Sequence, residues 1–515
     1  MTITAVAALA GRGKIKRYLP ASISGYIAVI AYWTPVIQFL LFQYSGQLGI
    51  EYGPLIIESL TYFPMLFLSI YAAIDLLECI DIGQFSLPGS LGDILLPTAS
   101  YFTISTTSKI TSAILPSLVG NHIYYTRIGF QMLLGSISAF LSPSRVILFA
   151  FPAILHTLWS NPHHPSDFAL QKANATLFAT QNFTLLARQE SITGYVSVLE
   201  SHADIAFRLL RCDHSLLGGE WLVTPTAYER GQRQRETIFS VFVLLEAVRL
   251  LENDSSSVSP TIQDSPAYNA ALVIGLGIGT APNALISHGL NTTIVELDPV
   301  VHYYATKYFG LSPDHTAVID DAVSYVSRTS VSKPSSFRFI IHDVFTGGAE
   351  PVSLFTLEFL QGLRDLLTED GVVAINYAGD LALGSTRLVL NTIHAVFPAC
   401  RLFRDQPPSP DLKPGDPDFI NMVVFCVKND GGQGKAAMRF RAAEESDIMG
   451  SLARRSYLEP KEENEIQYGH VPEKEGGKVM RKGDVGELEK FHKEGAVSHW
   501  RIMRTVLPDG VWEMW

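Results

Sequence analysis

The sequence predicts an α-helical multi-pass membrane region followed by an α/β domain with a mainly parallel sheet. Three observations carry this reading. No Lys or Arg occurs between Arg17 and Lys109, although the chain holds 39 basic and 50 acidic residues. Residues 270–299, AALVIGLGIGTAPNALISHGLNTTIVELDP, run as strand, glycine turn, helix, strand and acid. Beyond Asp298, strand-like and helix-like segments alternate as far as Val427, the pattern of a parallel sheet covered by helices on both faces.

A chain of 515 residues is long enough for two to four domains. Its net charge of −11 gives no electrostatic case for nucleic acid; it suits a cationic substrate and equally plain solubility. Cys79, Cys212, Cys400 and Cys426 lie far apart, with no CxxC or Cys/His spacing, so neither a disulfide scaffold nor a structural zinc is expected.

In chain order, residues 1–19 are basic through Arg12, Lys14, Lys16 and Arg17 and precede an uncharged apolar segment, 21–44, long enough to cross a hydrocarbon core. Further apolar runs at 60–74, 94–119, 128–141 and 146–159 predict about four or five membrane helices over 20–160. The alternative is a buried helical domain, against which stands the run of more than ninety residues without a base. The basic N-terminus is expected on the cytoplasmic side. The sequons at Asn174 and Asn182 bear on topology only if that part of the chain lies beyond the membrane.

From Ser191 the pattern turns to short alternating strands with a Gly218-Gly219 turn, a small β-domain over 190–235. Residues 236–251 read as a helix with an apolar stripe, and a polar linker over 252–266 leads to the glycine turn. The tail, 429–515, is rich in Lys, Glu and Gly, so much of it is expected to be mobile; three tryptophans in its last sixteen residues mark a docked end.

The glycine turn reads Gly275-x-Gly277-x-Gly279. Glycines there let the backbone approach a nucleoside, and a carboxylate about 20 residues on, here Glu296 or Asp298, can accept ribose hydroxyls. The spacing is GxGxG and not GxGxxG, which favours an S-adenosylmethionine-type ligand without a pyrophosphate over a dinucleotide. In open α/β sheets ligands sit at the carboxyl ends of the strands. Asp320 and Asp321 follow the third strand of this series and Asp343 the fourth, where each meets the same crevice. Asp320 and Asp321 also suit a helix cap. Asp343, in FIIHDVFTGG before Gly347-Gly348, has little structural reason to be charged, and His342 beside it alternates to the packed face.

Together VIGLGIG, VELDP, VIDDAVSYV, FIIHDVFTGGAEP and LFTLEFLQGLRDLLTEDGVVAINY resemble the spermidine/spermine synthases, the polyamine aminopropyltransferases, over residues 190–428, and most of all their membrane-attached and fungal members. The resemblance implies a Rossmann-like, class I methyltransferase-type domain over 236–428 behind the small β-domain. It implies decarboxylated S-adenosylmethionine as co-substrate, a polyamine or other amine as acceptor, no metal, and often a homodimer. By position Glu296 would hold the ribose, Asp320 would lie near the adenine, and Asp343 would take the amine proton as general base. Three departures fall on the amine side: Thr346 where the family has a second aspartate, Asp320-Asp321 in place of Asp-Gly, and no tyrosine in IFSVFVLLE. An S-adenosylmethionine-dependent methyltransferase, or a non-catalytic membrane protein that keeps the fold, are the alternatives.

Overall fold

The computed structural model describes residues 23–78, 89–120, 122–253, 265–344, 351–407, 418–469 and 477–514. The chain forms two compact units, one of residues up to 181 with 188–192 and 508–515, the other of 182–187 with 193–507.

The first unit is helical: α1 (Ile23–Phe42), α2 (Ser45–Leu60), α3 (Tyr62–Glu78), α4 (Gly89–Leu118), α5 (Arg127–Leu141), α6 (Phe151–Trp159) and α7 (Asp167–Gln181). Pro35 interrupts the hydrogen-bond ladder of α1. Two side chains bond carbonyls beside it: Thr34 Oγ1 donates to the Ile30 carbonyl at 2.9 Å and Asn161 Nδ2 to that of Pro35 at 3.1 Å. α1 and α5 approach where Gly135 faces Tyr32, since an added Cβ would lie 3.0 Å from the ring, and Tyr32 Oη pairs with Ser136 Oγ at 2.8 Å. Two apolar helical stretches, Ser24–Phe42 and Ser45–Ala73, are long enough to cross a membrane; Arg127–Leu141 and Arg145–Trp159 are apolar but shorter. The expected four or five crossings are thus reduced, among the described residues, to two candidates: the runs at 128–141 and 146–159 fold into helices too short to span, and the run at 94–119 lies in the long but Ser- and Thr-rich α4.

The second unit opens with an antiparallel sheet of β1 (Phe183–Ser191), β2 (Gly194–Ser201), β3 (Phe207–Cys212), β4 (Ser215–Trp221) and β5 (Glu236–Thr237) in that order. The expected helix over 236–251 is shorter, α8 (Ser240–Glu246), because Glu236 pairs with Trp221 as a strand end and β6 (Leu251–Asn253) follows.

Next come β7 (Ala270–Ile274), α9 (Thr280–Ser287), β8 (Asn291–Glu296), α10 (Pro299–Phe309), β9 (His315–Ile319), α11 (Ala322–Ser332) and β10 (Phe337–His342). After them stand α12 (Leu357–Leu366), β11 (Leu367–Asp380), α13 (Gly384–Val396), β12 (Ala399–Arg404) and β13 (Phe419–Val427). With the short β15 they make an eight-stranded sheet in the order β15-β12-β13-β11-β10-β7-β8-β9, where β15 is Glu465–Ile466. β7 to β11 run parallel and β13 antiparallel between β11 and β12, the Rossmann-like methyltransferase-type arrangement.

The strands are apolar on both faces. Leu272, Ile274, Ile340, Val373 and Ile375 enter one core cluster, and Ala271, Val273, Phe339, Ile341, Val372 and Ala374 the other. This is the continuous burial a helix-covered parallel sheet requires. Glu369-Asp370-Gly371, a turn-like sequence, lies instead at an irregularity inside β11, between the pairs Phe337–Leu367 and Phe339–Val372.

Part of the tail is ordered, contrary to the expectation of mobility. β14 (Met438–Phe440) pairs with β6, α14 (Leu452–Tyr457) packs on α8, and α15 (Val485–Val506) follows. The segment is fixed by paired charges: Arg454 Nε meets Glu246 at 2.7 Å and Arg249 meets Asp447 at 2.9 Å, all but Arg454 almost fully enclosed. A polar composition hid these buried pairs. Cys400 and Cys426, for which no bond was expected, are disulfide-linked; a separation of 26 residues conceals that they face each other in register on β12 and β13.

Candidate functional site

The glycine turn joins β7 to α9 with all three glycines left-handed: φ is +84° at Gly275, +54° at Gly277 and +87° at Gly279. Only glycine adopts such values without cost. Space demands the same, since a Cβ on Gly275 would lie 2.0 Å from the Asp343 carbonyl and one on Gly277 2.5 Å from that of Leu217. The turn is thereby pressed between the end of β10 and the backbone of β4.

Glu296, at the end of β8, closes the turn from the other side. Its Oε2 accepts the Leu276 N–H at 3.0 Å and its Oε1 that of Asp298 at 2.9 Å. Burial above all pushes its carboxyl up to about 7; the Asp298 charge adds to this, and the backbone N–H groups of Asp298, Leu276 and Leu297 oppose it. Two oxygens with four acceptor positions leave room for a further donor such as a ribose hydroxyl. Asp298 itself is fully buried and caps α10, accepting from Val300 N–H at 2.8 Å and from Thr193.

Asp320 follows β9, its N–H bonded to the Glu296 carbonyl at 3.1 Å, so its backbone lies at the same sheet edge. Its carboxylate holds Arg328 at 2.5 Å, and that hydrogen bond keeps it below the usual carboxylate range. Asp321 caps α11 through Ser324 N–H at 3.0 Å. The structure therefore gives Asp321 and Asp298 structural partners and gathers Gly275, Gly277, Gly279, Glu296, Asp320 and Asp343 along one edge.

Asp343 follows β10, its N–H bonded to the Ile274 carbonyl at 2.8 Å. Burial lifts its carboxyl to about 6, against the hydrogen bond from Asn376 Nδ2 at 2.7 Å. A carboxylate of this kind is ionised at neutral pH yet accepts a proton more readily than a surface aspartate. Residues 345–350 lie outside the described residues, and with them Thr346 and Gly347-Gly348. His342 is packed between Phe355 and Phe359, ring centroids 5.0 and 5.7 Å away, and burial lowers it to about 4.

Sequence reasoning missed Asn376. It ends the apolar run of β11, and an uncharged amide there gave no signal beyond being polar. A carboxylate can only accept, so the amide nitrogen must be the atom facing Asp343. Its Oδ1 is buried and has no partner among the described residues. No group of three or more His, Cys, Asp or Glu is placed to hold a metal among those residues.

With this geometry in view, the comparisons are specific. The model of the spermine/spermidine synthase domain matches residues 259–403, from ahead of β7 to the end of β12. An N-terminal histidine N-methyltransferase of Emericella nidulans is 43% identical over 503 residues, 95% of this chain and 86% of the relative. The chain belongs to that protein's family.

A polyamine aminopropyltransferase of Vibrio vulnificus is 32% identical over 213 residues, only 41% of this chain and 64% of the relative. A crystal structure of a probable spermidine synthase from Corynebacterium glutamicum covers 56% of this chain and 99% of its own, at 15% identity and a TM-score of 0.36. Family membership thus joins a synthase-type domain to a methyltransferase relative matching nearly end to end, and all six site residues lie inside the matched domain. The membrane-attached part of the resemblance has no support from these relatives.

Proposed function

We propose that the chain is an S-adenosylmethionine-dependent N-methyltransferase acting on a nitrogen of an N-terminal histidine in a polypeptide. The observation that carries this is the 43% identity with the N-terminal histidine N-methyltransferase across 95% of the chain, against 41% coverage for the aminopropyltransferase. The expected aminopropyl transfer from decarboxylated donor is thereby less well supported than its methyl-transfer alternative. The departures at Thr346, Asp320-Asp321 and IFSVFVLLE agree with this, since the resemblance places all three on the amine side of the synthase pattern.

In this reading the glycine turn and Glu296 hold the nucleoside of the donor. Asp343 accepts an N–H of the acceptor, freeing or sharpening the attacking lone pair. The nitrogen bonds to the methyl carbon, the C–S bond breaks toward sulfur, and the sulfonium becomes a neutral thioether while the proton passes to the carboxylate. Turn, Glu296 and Asp343 on adjacent strand ends supply the alignment such a displacement needs.

The test offers the full chain labelled S-adenosylmethionine or decarboxylated S-adenosylmethionine, each with putrescine, spermidine, a histidine-initiated peptide and the same peptide initiated by alanine. Methylation confined to the histidine peptide, located by mass spectrometry, is expected. Aminopropyl transfer to putrescine or spermidine overturns the reading.

Membrane association is proposed separately, carried by the two long apolar stretches and by Phe140, Leu141, Leu148 and Phe149, all large apolar side chains more than 70% exposed.

A further inference from the structure

Asp343 and Asn376 follow His342 and Ile375, the last partners in the parallel register of β10 and β11. Side chains alternate along each strand. Ile340, Val373 and Ile375 enter one core cluster and Phe339, Ile341, Val372 and Ala374 the other, so Asp343 and Asn376 continue the second face side by side. Neighbouring strands lie about 4.8 Å apart, a gap that an aspartate and an asparagine close with one hydrogen bond. Here it is the 2.7 Å bond from Asn376 Nδ2 to Asp343 Oδ1. Asn376 is 8% exposed and flanked in the sheet by β10 and β13, whereas Asp343 is only half-buried. Among the described residues this is the one side-chain hydrogen bond of Asp343. Other titratable groups at this edge stand apart: His342 packs on the opposite face, and Glu296 lies two strands away on β8.

An aspartate at a strand end can turn about its last side-chain bond and exchange its two oxygens. Tying Oδ1 to an enclosed amide removes that freedom and leaves Oδ2 as the oxygen available to another partner. A neutral donor suits the task. A lysine or arginine would hold the oxygen but make the carboxylate less basic, and an acid would have to share a proton with it. Stability does not explain the residue. The buried Asn376 Oδ1 has no partner among the described residues, a cost that the apolar side chains of 372–375 avoid.

We propose that Asn376 is a positioning residue, whose amide holds one oxygen of Asp343 and thereby aims the other at the acceptor nitrogen. This rests on the reading of Asp343 as the base of methyl transfer. The same bond favours the charged carboxylate and opposes the effect of burial on it.

The test compares wild type with Asn376→Leu, Asn376→Asp and Asn376→Gln in the full chain. It reads methyl transfer to a histidine-initiated peptide across pH and calorimetric affinity for S-adenosylmethionine. It also reads the pH dependence of carbodiimide labelling at Asp343, located by mass spectrometry. Asn376→Leu, close in volume but without a donor, is expected to lower kcat about ten- to hundredfold, the scale of a small misplacement. Its rising pH limb and its labelling midpoint should both move up by about one pH unit. Asn376→Asp should move them further, and Asn376→Gln, which keeps an amide, should bring them back toward wild type. Donor affinity should be unchanged throughout, which shows that the variants fold. A fall in kcat with limb and midpoint in place would make Asn376 a packing residue and overturn the proposal. An unchanged kcat in Asn376→Leu overturns it too, as does a loss of donor affinity in step with kcat. If the midpoint moves as expected while wild type methylates no histidine peptide, the hold of Asn376 on Asp343 stands and the methyl-transfer reading fails.

Discussion

At the scale of single residues, Asp343 carries opposite consequences for activity and stability. Its carboxyl is raised from 3.8 to about 6, so in the folded protein it holds its proton more tightly than in the unfolded chain. Its effect on stability is thus most favourable below pH 3.8, is lost as pH rises to about 6, and stays lost above. Catalysis has the reverse need, since the base must be ionised. Methyl transfer is expected to rise with pH through about 6 and level off. Asp343→Asn should lower kcat by at least about a hundredfold, while its melting temperature at pH 8 stays at or above that of wild type. A matching fall in melting temperature would show that the carboxylate is structural. Glu296 and Asp343 were legible because a carboxylate at the end of an apolar strand stands out. Asn376 was not, and Asp298 and Asp321 could not be separated from ligand contacts until their caps on α10 and α11 were seen.

At the scale of elements, the chain after the sheet is secured by buried charge. Glu246 on α8 is completely enclosed, and burial raises its carboxyl despite the Arg454 guanidinium beside it. Arg454→Met leaves that carboxylate unpaired and should cost about 3–5 kcal/mol in urea denaturation, and less as pH falls and the raised carboxyl takes up a proton. Adding Glu246→Gln to Arg454→Met should restore much of the loss; if it does not, Arg454 contributes by packing alone. The strands from β7 to β10 could be read because each is short, apolar and closed by a turn or an acid. The stretch that forms α13 and β12 gives a weaker signal, since Ala399–Arg404 carries two arginines whose charges are met only in the fold, Arg401 by Glu465 at 2.7 Å and Arg404 by Asp418. β1 was overlooked because it follows directly on α7.

For the molecule as a whole, apolar composition announced the first unit but not how many of its helices are long enough to span a bilayer. Length is set by where a segment starts and stops, and Ser, Thr, Gly and Pro within the apolar runs left those limits open. If the two long stretches are inserted, the full chain should sediment with membranes, resist extraction by alkaline carbonate and be released by detergent. Recovery in the supernatant after carbonate treatment would mean that they pack within protein. The second unit places its site where one residue has two duties. Glu296 anchors the glycine turn through the N–H groups of Leu276 and Asp298, and in the proposed function it also holds the donor's nucleoside. In evolutionary terms that couples inheritance on the donor side, where a change at Glu296 must satisfy both the turn and the nucleoside. The acceptor side, which the proposed function places at the separate ends of β10 and β11, can change one position at a time. Descendants of this fold would therefore be expected to diverge in what they modify sooner than in the donor they use.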